Sequence, residues 1–161
     1  MNRRHFLTRA LGALGGAAAF GHAFSVHAQG PTMTKIVKTE AEWKKLLTPQ
    51  QFHVLRQEGT EAPFTSPLDK EKRKGLFVCA ACELPLFDSS TKYDSGTGWP
   101  SFYDHLHGSV ETKVDFKLIY PRTEYHCARC GGHQGHVFDD GPKPTGLRYC
   151  NNGVALKFVP A

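Results

Sequence analysis

The chain has 161 residues, of which 40% are apolar and 22% are charged, a composition ordinary for one folded globular domain. Its formal net charge is +5, but the first 28 residues contain three arginines and no acidic residue, and without them 17 basic side chains stand against 15 acidic ones. This near balance argues against a nucleic-acid partner, because phosphate backbones are bound by strongly basic surfaces.

Residues 1–28 have the organisation of a twin-arginine-type export signal. Arg3 and Arg4 precede a weakly apolar run, 11–20, and the Val-His-Ala that ends at Ala28 is typical of a signal cleavage site. The run is shorter than the roughly 20 apolar residues that a membrane-spanning helix needs. We therefore expect the twin-arginine machinery to export the folded chain, with a cut near Ala28 and a periplasmic mature protein. The alternatives are an ordinary secretory signal or an uncleaved anchor.

Two capping boxes predict two short helices near the start of the folded part. Thr39 is followed three residues later by Glu42, and Thr48 by Gln51, with a proline at the first helical position of the second helix. The apolar residues predicted to pack these helices against the core are Trp43, Leu46, Leu47, Phe52 and Leu55. We expect both helices to have a packing role.

The predicted domain covers residues 38–161 and follows a flexible lead-in over residues 29–37. From Gly75 onward, short runs of strand-forming residues alternate with Gly, Pro, Asp and Ser, and 117–120 and 147–158 are two of these runs. The pattern predicts a mainly β, mostly antiparallel domain after the two helices.

Four of the five cysteines form two pairs of the Cys-x-x-Cys type. Cys79 and Cys82 make the first pair and Cys127 and Cys130 the second, with 44 residues between the pairs. Two pairs with the same spacing can supply four thiolates in tetrahedral geometry, which predicts one Zn²⁺. Such a site leaves no ligand position for a substrate, so the zinc would be structural. Two disulfides or an iron centre are the alternatives.

The fifth cysteine lies between a cation and an amide. In an extended segment alternate side chains share a face, so Arg148, Cys150 and Asn152 would lie together. An adjacent positive charge favours the thiolate, which is the nucleophilic form of cysteine. Considered alone, such a cysteine is more often a small buried residue.

Two histidines and two aromatic residues are further candidates for a site. His133 and His136 titrate near neutral pH and are suited to proton transfer. Trp99, in a glycine-rich loop, and Phe138 offer apolar surfaces for a substrate. Taken singly, a tryptophan belongs more often to the core and a histidine to the surface. Their occurrence together with Cys150 favours a functional site.

These motifs together closely resemble the methionine-R-sulfoxide reductases, the B-type family of peptide-methionine sulfoxide reductases. The matching segments are the two Cys-x-x-Cys pairs, YDSGTGWPSF at 93–102, HQGHVFDDG at 133–141 and GLRYCNN at 146–152, and they occur in the family's order. The resemblance runs from about residue 38 to residue 159. It implies two small antiparallel β-sheets, short N-terminal helices and a four-cysteine structural zinc site.

The resemblance also implies a reaction, the reduction of methionine-R-sulfoxide, mainly in proteins and peptides, and hence the repair of oxidised proteins. The residues that map onto the family's active site are Trp99, His133, His136, Cys150 and Asn152. Cys150 would attack the sulfoxide sulfur while a histidine protonates the oxygen, which leaves a sulfenic acid. Asn152 would donate to the substrate or orient a histidine. Arg148 would favour the thiolate and hold Asp139 or Asp140.

One position departs from many members of that family. They carry a cysteine where this chain has Thr97, and the other four cysteines are assigned to zinc. No thiol of the chain is then available to condense with the sulfenic acid. We therefore expect direct reduction by a thioredoxin-like protein or a small thiol, and a monomer. A zinc-ribbon-like binding module and a Cys-His hydrolase are the other hypotheses, and nothing local specifies the oxyanion hole that a hydrolase needs.

Overall fold

The computed structural model describes residues 33–161, so the predicted export signal lies outside the described residues. The helices are α1 (Glu40–Leu46) and α2 (Pro49–Gln57), and the strands are β1 (Gly75–Cys79), β2 (Pro85–Asp88), β3 (Lys92–Tyr93), β4 (Ser101–Phe102), β5 (Val110–Asp115), β6 (Arg122–Cys127), β7 (His133–Phe138), β8 (Arg148–Asn151) and β9 (Leu156–Pro160). Short 3₁₀ helices occupy Pro67–Lys70, Ser89–Thr91 and Gly153–Ala155. Within residues 33–161, none of the helices combines the length and apolar character needed to cross a membrane.

The strands form two antiparallel sheets, as predicted. Three strands pair in the order β2-β1-β9, and six pair in the order β3-β4-β8-β7-β6-β5. The chain passes from the larger sheet to the smaller one through the short helix Gly153–Ala155, because β8 belongs to one sheet and β9 to the other. The predicted continuous run 147–158 is therefore two strands.

Both helices begin at the predicted capping boxes. The side chain of Thr39 accepts a hydrogen bond from the Glu42 N–H while Glu42 reaches back to the Thr39 N–H, and Thr48 and Gln51 repeat the arrangement. Of the apolar residues assigned to the core, Trp43, Leu47, Phe52 and Leu55 are buried. The prediction for Leu46 was wrong: its side chain is 61% exposed at the end of α1.

An aromatic cluster forms the core and positions the strands that carry the site. Phe87 of the small sheet stacks on Phe102 of the large sheet, with ring centroids 4.1 Å apart. Phe77 meets Phe102 edge-on, and Tyr125 meets Tyr149 edge-on at 5.3 Å. Since these rings come from both sheets and are buried, they hold β4 and β8 against the small sheet.

Two segments differ from what the sequence suggested. The predicted strand 117–120 is part of the turn between β5 and β6, and its side chains are exposed. In the described part of the lead-in, Ile36 donates a backbone hydrogen bond to the Arg129 carbonyl and packs against the core. Isolated strand-forming residues become a strand only when a neighbouring strand pairs with them, and 117–120 has none in the described chain.

Candidate active site and metal centre

The four cysteines of the two Cys-x-x-Cys pairs converge on one point. Their sulfur atoms all lie within 4.8 Å of one another, with Cys79 Sγ 3.7 Å from Cys130 Sγ and Cys82 Sγ 3.5 Å from Cys127 Sγ. A tetrahedral Zn²⁺ with Zn–S bonds of about 2.3 Å separates its sulfurs by about 3.8 Å. A disulfide needs about 2.05 Å, and all four thiols are free in the structure. The donor set therefore fits one structural Zn²⁺.

Two side chains direct N–H groups at the sulfur atoms. Arg56 donates to Cys130 Sγ at 3.2 Å and to the Cys130 carbonyl at 2.9 Å, and Gln134 donates to Cys79 Sγ at 3.5 Å. These donors favour thiolates over thiols, and Arg56 partly balances the negative charge that four thiolates keep around a divalent ion. The site joins the end of β1 to the end of β6, so the metal would tie the two sheets together.

The pairing of strands brings two of the candidate catalytic residues into one row across the large sheet. Cys150 on β8 lies opposite Ser101 on β4 and opposite His136 on β7, and His136 lies opposite Glu124 on β6. Directly opposed residues of antiparallel strands project from the same face. Next to this row, Phe138 is opposite Arg148. The thiol and one histidine are therefore neighbours through register alone.

A cleft of about 130 Å³ opens above Cys150. It is lined by Thr60, Trp99, Arg122, Gly135, His136, Phe138, Cys150, Asn151 and Asn152. Five of the sequence-predicted site residues are in that lining. His133 is buried with its ring centroid 5.5 Å from that of His136, and Arg148 lies beside Phe138 with its guanidinium 4.4 Å from the ring centre.

Gly135 is required at its place in the cleft. A Cβ atom there would lie 1.9 Å from the carbonyl oxygen of Cys150 on the neighbouring strand. No real Cβ makes such a contact, so any side chain would push β7 away from β8. The glycine thus permits the close approach that sets Cys150 beside His136.

The cysteine is held in an environment that disfavours its charge. Burial raises the pKa of the Cys150 thiol above its ordinary value, and Arg148 and a hydrogen bond from Thr97 act in the opposite direction. Arg148 thus acts in the predicted direction, but burial outweighs it. The guanidinium is also shared with Asp140, to which it donates two hydrogen bonds of 2.8 Å, whereas it makes none to Asp139 in the described chain. The predicted carboxylate partner of Arg148 is therefore Asp140.

His136 is paired with a carboxylate that the sequence did not reveal. Its Nε2 lies 2.7 Å from Asp115 Oδ2, which also accepts a 2.6 Å hydrogen bond from Arg122. The Lys117 backbone N–H, His136 and Arg122 hold the pKa of Asp115 well below its usual range. Because Asp115 stays ionised, Nε2 of His136 carries the proton of that bond. Burial lowers the pKa of His136 despite this partner.

His133 has its own buried carboxylate. Its Nδ1 lies 2.7 Å from Glu124 Oε1, and each residue is 2% exposed. Burial alone would raise the pKa of Glu124, but hydrogen bonds from His126 and His133 outweigh it and lower the pKa to about 2. Nε2 of His133 is buried and has no hydrogen-bond partner among residues 33–161. A buried imidazole atom without a hydrogen-bond partner is costly, so this nitrogen is a feature of the site that a purely packing role for His133 does not explain.

Asn152 lines the cleft, but its amide is used for backbone contacts. Nδ2 donates to the Gln134 carbonyl at 2.9 Å, and Oδ1 accepts from the Glu61 N–H at 3.0 Å. No hydrogen bond joins it to a histidine in the described chain, so the suggestion that Asn152 orients a histidine was wrong. The Trp99 indole Nε1–H donates to the carbonyl of the same residue, Glu61, at 3.1 Å.

A family model described as the SelR domain matches residues 47–160. The peptide methionine sulfoxide reductase MsrB of Methanosarcina barkeri is 56% identical over 124 residues, which are 76% of this chain and 87% of the relative. The MsrB of Agrobacterium fabrum is 52% identical over 130 residues (80% and 96%), and that of Pseudomonas syringae pv. syringae is 54% identical over 129 residues (80% and 98%).

The chain belongs to the MsrB family. Its SelR domain covers the helix α2, both sheets and the four-cysteine cluster, so the site described above lies wholly within the matched part.

Sequence reasoning missed four charged residues of this MsrB-family site. They are Glu61, Asp115, Arg122 and Glu124. Asp115 and Glu124 meet His136 and His133 through their side chains, Glu61 meets Asn152 through its backbone N–H, and Arg122 donates to Asp115. A weak signal existed for two of them. Arg122 and Glu124 alternate with Thr123 and Tyr125 along the chain, a pattern typical of a strand, which places them on the face opposite Tyr125.

Proposed function

We propose that this chain reduces methionine-R-sulfoxide in oxidised proteins and peptides to methionine, with Cys150 as the nucleophile. The observation that carries the proposal is the position of Cys150 in a cleft between Trp99 and His136. Membership of the MsrB family supports the reaction, and the cleft supports the assignment of residues. The enzyme is an oxidoreductase that repairs oxidised proteins.

The chemical step needs a thiolate, a proton and an apolar slot. The Cys150 thiolate attacks the sulfoxide sulfur, the sulfur–oxygen bond breaks, and one proton enters. The oxygen is transferred to Cys150, so methionine and a sulfenic acid are the products. The sulfoxide sulfur is reduced by two electrons and Cys150 is oxidised by two.

The proton comes from a histidine in this scheme. His136 lines the cleft and, when protonated, offers its Nδ1–H, because Nε2 is committed to Asp115. His133 forms a second histidine–carboxylate pair with Glu124, and its Nε2 has no hydrogen-bond partner among residues 33–161. Trp99 and Phe138 supply apolar walls for the S-methyl group, and Arg148 moderates the penalty that burial places on the thiolate.

Recycling requires a thiol from outside the chain. Cys150 is the one cysteine that is not part of the metal cluster, and Thr97, whose hydroxyl lowers the pKa of the Cys150 thiol, supplies no second thiol. An external thiol condenses with the sulfenic acid to give a mixed disulfide and water. A second thiol then releases reduced Cys150 and the external disulfide. We propose a thioredoxin-like protein or a small thiol as this donor, acting on a monomer.

The zinc has a structural part in the proposal. Cys79, Cys82, Cys127 and Cys130 hold it, and with four thiolate ligands it offers no position to substrate. It fixes the turn after β6, from which β7 and the two histidines start.

Export through the twin-arginine route remains part of the proposal. The paired Arg3 and Arg4, the short apolar run and the small residues before Gln29 support a signal over residues 1–28 and a domain over 38–161. A folded, metal-loaded domain suits a route that carries folded cargo, and the destination is the periplasm. Fractionation of cells that express the full chain and its Arg3→Lys, Arg4→Lys variant tests this: the variant should stay in the cytoplasm.

A single-turnover experiment tests the reaction. The zinc-loaded chain from residue 29 is mixed with an excess of a methionine-R-sulfoxide peptide without reductant. We expect one methionine per chain and one added oxygen on Cys150. A disulfide between Cys150 and a zinc cysteine would contradict the recycling scheme, and no methionine from either epimer would contradict the reaction itself.

A further inference from the structure

We propose that Glu61 is a positioning residue for this reaction, because it holds Trp99 and Asn152 at their places in the lining of the cleft. The inference rests on the proposed function. Glu61 lies in the connection between α2 and β1, far in sequence from both residues, and neither the motifs nor the row of residues on the large sheet includes it.

The backbone of Glu61 contacts two residues that line the cleft. Its carbonyl accepts the Trp99 indole N–H at 3.1 Å, and its N–H donates to Asn152 Oδ1 at 3.0 Å. The relative position of Trp99 and Asn152 therefore depends on where this one peptide segment lies. The neighbouring Thr60 is itself part of the cleft lining.

The carboxylate of Glu61 anchors that segment. It is 7% exposed and accepts the backbone N–H groups of Gly153 and, at 3.0 Å, Val154, at the start of the short helix that follows Asn152. A buried carboxylate is stable only when its oxygens are satisfied, and these two N–H groups satisfy it. The segment around Gly153 is closely packed, because a Cβ on Gly153 would lie 1.9 Å from Ser66 Oγ.

The anchor acts on substrate contacts and leaves the nucleophile in place. Cys150 is held by β4 and β7, its neighbours in the large sheet, and none of the hydrogen bonds of Glu61 goes to it. Loss of the carboxylate should therefore shift Trp99 and Asn152 but keep the thiol accessible. A displacement of about 1 Å in a positioning group can cost up to about 100-fold in rate.

The test compares Glu61→Gln and Glu61→Ala with a matched control, Leu86→Ala. Leu86 is fully buried in β2, outside the site, so its truncation destabilises the fold without touching the cleft. For each variant three quantities are measured on folded protein: kcat and KM for a methionine-R-sulfoxide peptide, the rate of Cys150 alkylation by iodoacetamide, and acrylamide quenching of Trp99 fluorescence in a Trp43→Phe background.

We expect KM to rise about tenfold for Glu61→Gln and more for Glu61→Ala, with alkylation within about twofold of the parent. Quenching of Trp99 should increase in the same order, and Leu86→Ala should lower only the melting temperature. Gln keeps one acceptor oxygen, so it should fold even if the alanine variant does not.

Unchanged KM and quenching in Glu61→Gln would overturn the proposal. A parallel loss of alkylation and reduction would also overturn it, because Cys150 itself would then have moved. Failure of the parent chain to reduce either sulfoxide epimer would instead overturn the proposed function, and the fluorescence result would still decide whether Glu61 positions Trp99.

Discussion

His136 and Cys150 are directly opposed on β7 and β8, and the imidazole is fixed from behind by a 2.7 Å hydrogen bond to Asp115. This places a proton donor and a nucleophile on one face of a rigid sheet. Burial disfavours the charged form of both groups, because it lowers the pKa of His136 and raises the pKa of Cys150. The reactive combination, a protonated histidine with a thiolate, is therefore a minor protonation state whose population the surrounding charges set.

Replacing Cys150 with serine should abolish reduction and leave the fold intact. A hydroxyl of the same shape ionises far less readily than a thiol, so we expect a loss of at least about 1,000-fold in single-turnover rate. Methionine release and the thermal melting curve are measured together. The melting temperature should stay within a few degrees of the parent, and appreciable residual reduction would contradict the role of Cys150.

The pH profile of kcat/KM should show a broad plateau. Cys150 has a pKa above its ordinary value of 9.0 and His136 one below 6.5, so between them the thiolate fraction rises as fast as the protonated-histidine fraction falls. Activity should fall below the histidine pKa and above the cysteine pKa. A narrow optimum near pH 7 would contradict this assignment.

Asp115→Asn should lower that plateau. The carboxylate raises the pKa of His136 while Arg122 lowers it, so removal of Asp115 should move the acid limb to lower pH and reduce the protonated fraction in the plateau. We expect a loss of about 10- to 100-fold in kcat/KM. Asp139→Asn, at an exposed carboxylate outside the cleft, is the matched control and should keep the parental profile.

The ion pair between Arg148 and Asp140 should influence the pKa, and hence the reactivity, of the Cys150 thiol. Arg148 lowers the pKa of Cys150 and Asp140 raises it, so Arg148→Met should slow alkylation at pH 7 and Asp140→Asn should accelerate it. The measurement is the rate of alkylation by iodoacetamide against pH. An equal change in both variants would show that they act through a displaced strand and not through charge.

Replacing one zinc cysteine should destabilise the whole domain. Cys82→Ser removes one of four thiolates that tie β1 to β6, so we expect loss of stoichiometric zinc and a melting temperature lower by at least about 10 °C. Cys150→Ser is the matched control, since it is also a cysteine-to-serine change and should retain one zinc per chain. Zinc is quantified by release to a colorimetric chelator.

Glu124 should make the fold sensitive to acid. Its pKa is about 2 in the folded chain against an ordinary 4.5, so its stabilising contribution is complete above about pH 4.5 and is lost as the pH falls towards 2. Glu124→Gln should remove this part of the acid dependence and lower stability at neutral pH by about 3 kcal/mol, because His133 loses its charged partner. Urea unfolding at a series of pH values measures both.

The sequence predicted the features that depend on neighbours along the chain. The two capping boxes, the Cys-x-x-Cys pairs and the positions of Arg148, Cys150 and Asn152 are short-range patterns, and their geometry follows from a few residues. The order of the motifs indicated the family, and the resemblance to that family implied the two sheets. The lone thiol followed from counting cysteines against the zinc ligands.

Only the tertiary structure decided which groups meet across strands. The pairing of His136 with Cys150, of His136 with Asp115 and of His133 with Glu124 depends on strand register, which joins residues remote in sequence. The pKa of Cys150 is another such property. The sequence places Arg148 next to it and predicts an activated thiol, whereas the packing around the thiol reverses the net direction.

The remaining differences have the same physical origin. Within residues 33–161, the run 117–120 has strand-forming residues but no pairing strand, so it forms a turn, and Leu46 lies exposed at the end of α1. Glu61 shows the converse, a polar residue in a loop that is buried because two separate segments, at Trp99 and at 152–154, use its donors and acceptors. Local chemistry determined which residues can react or bind zinc, whereas burial and cross-strand contacts, which only the folded chain creates, decided their charges and partners.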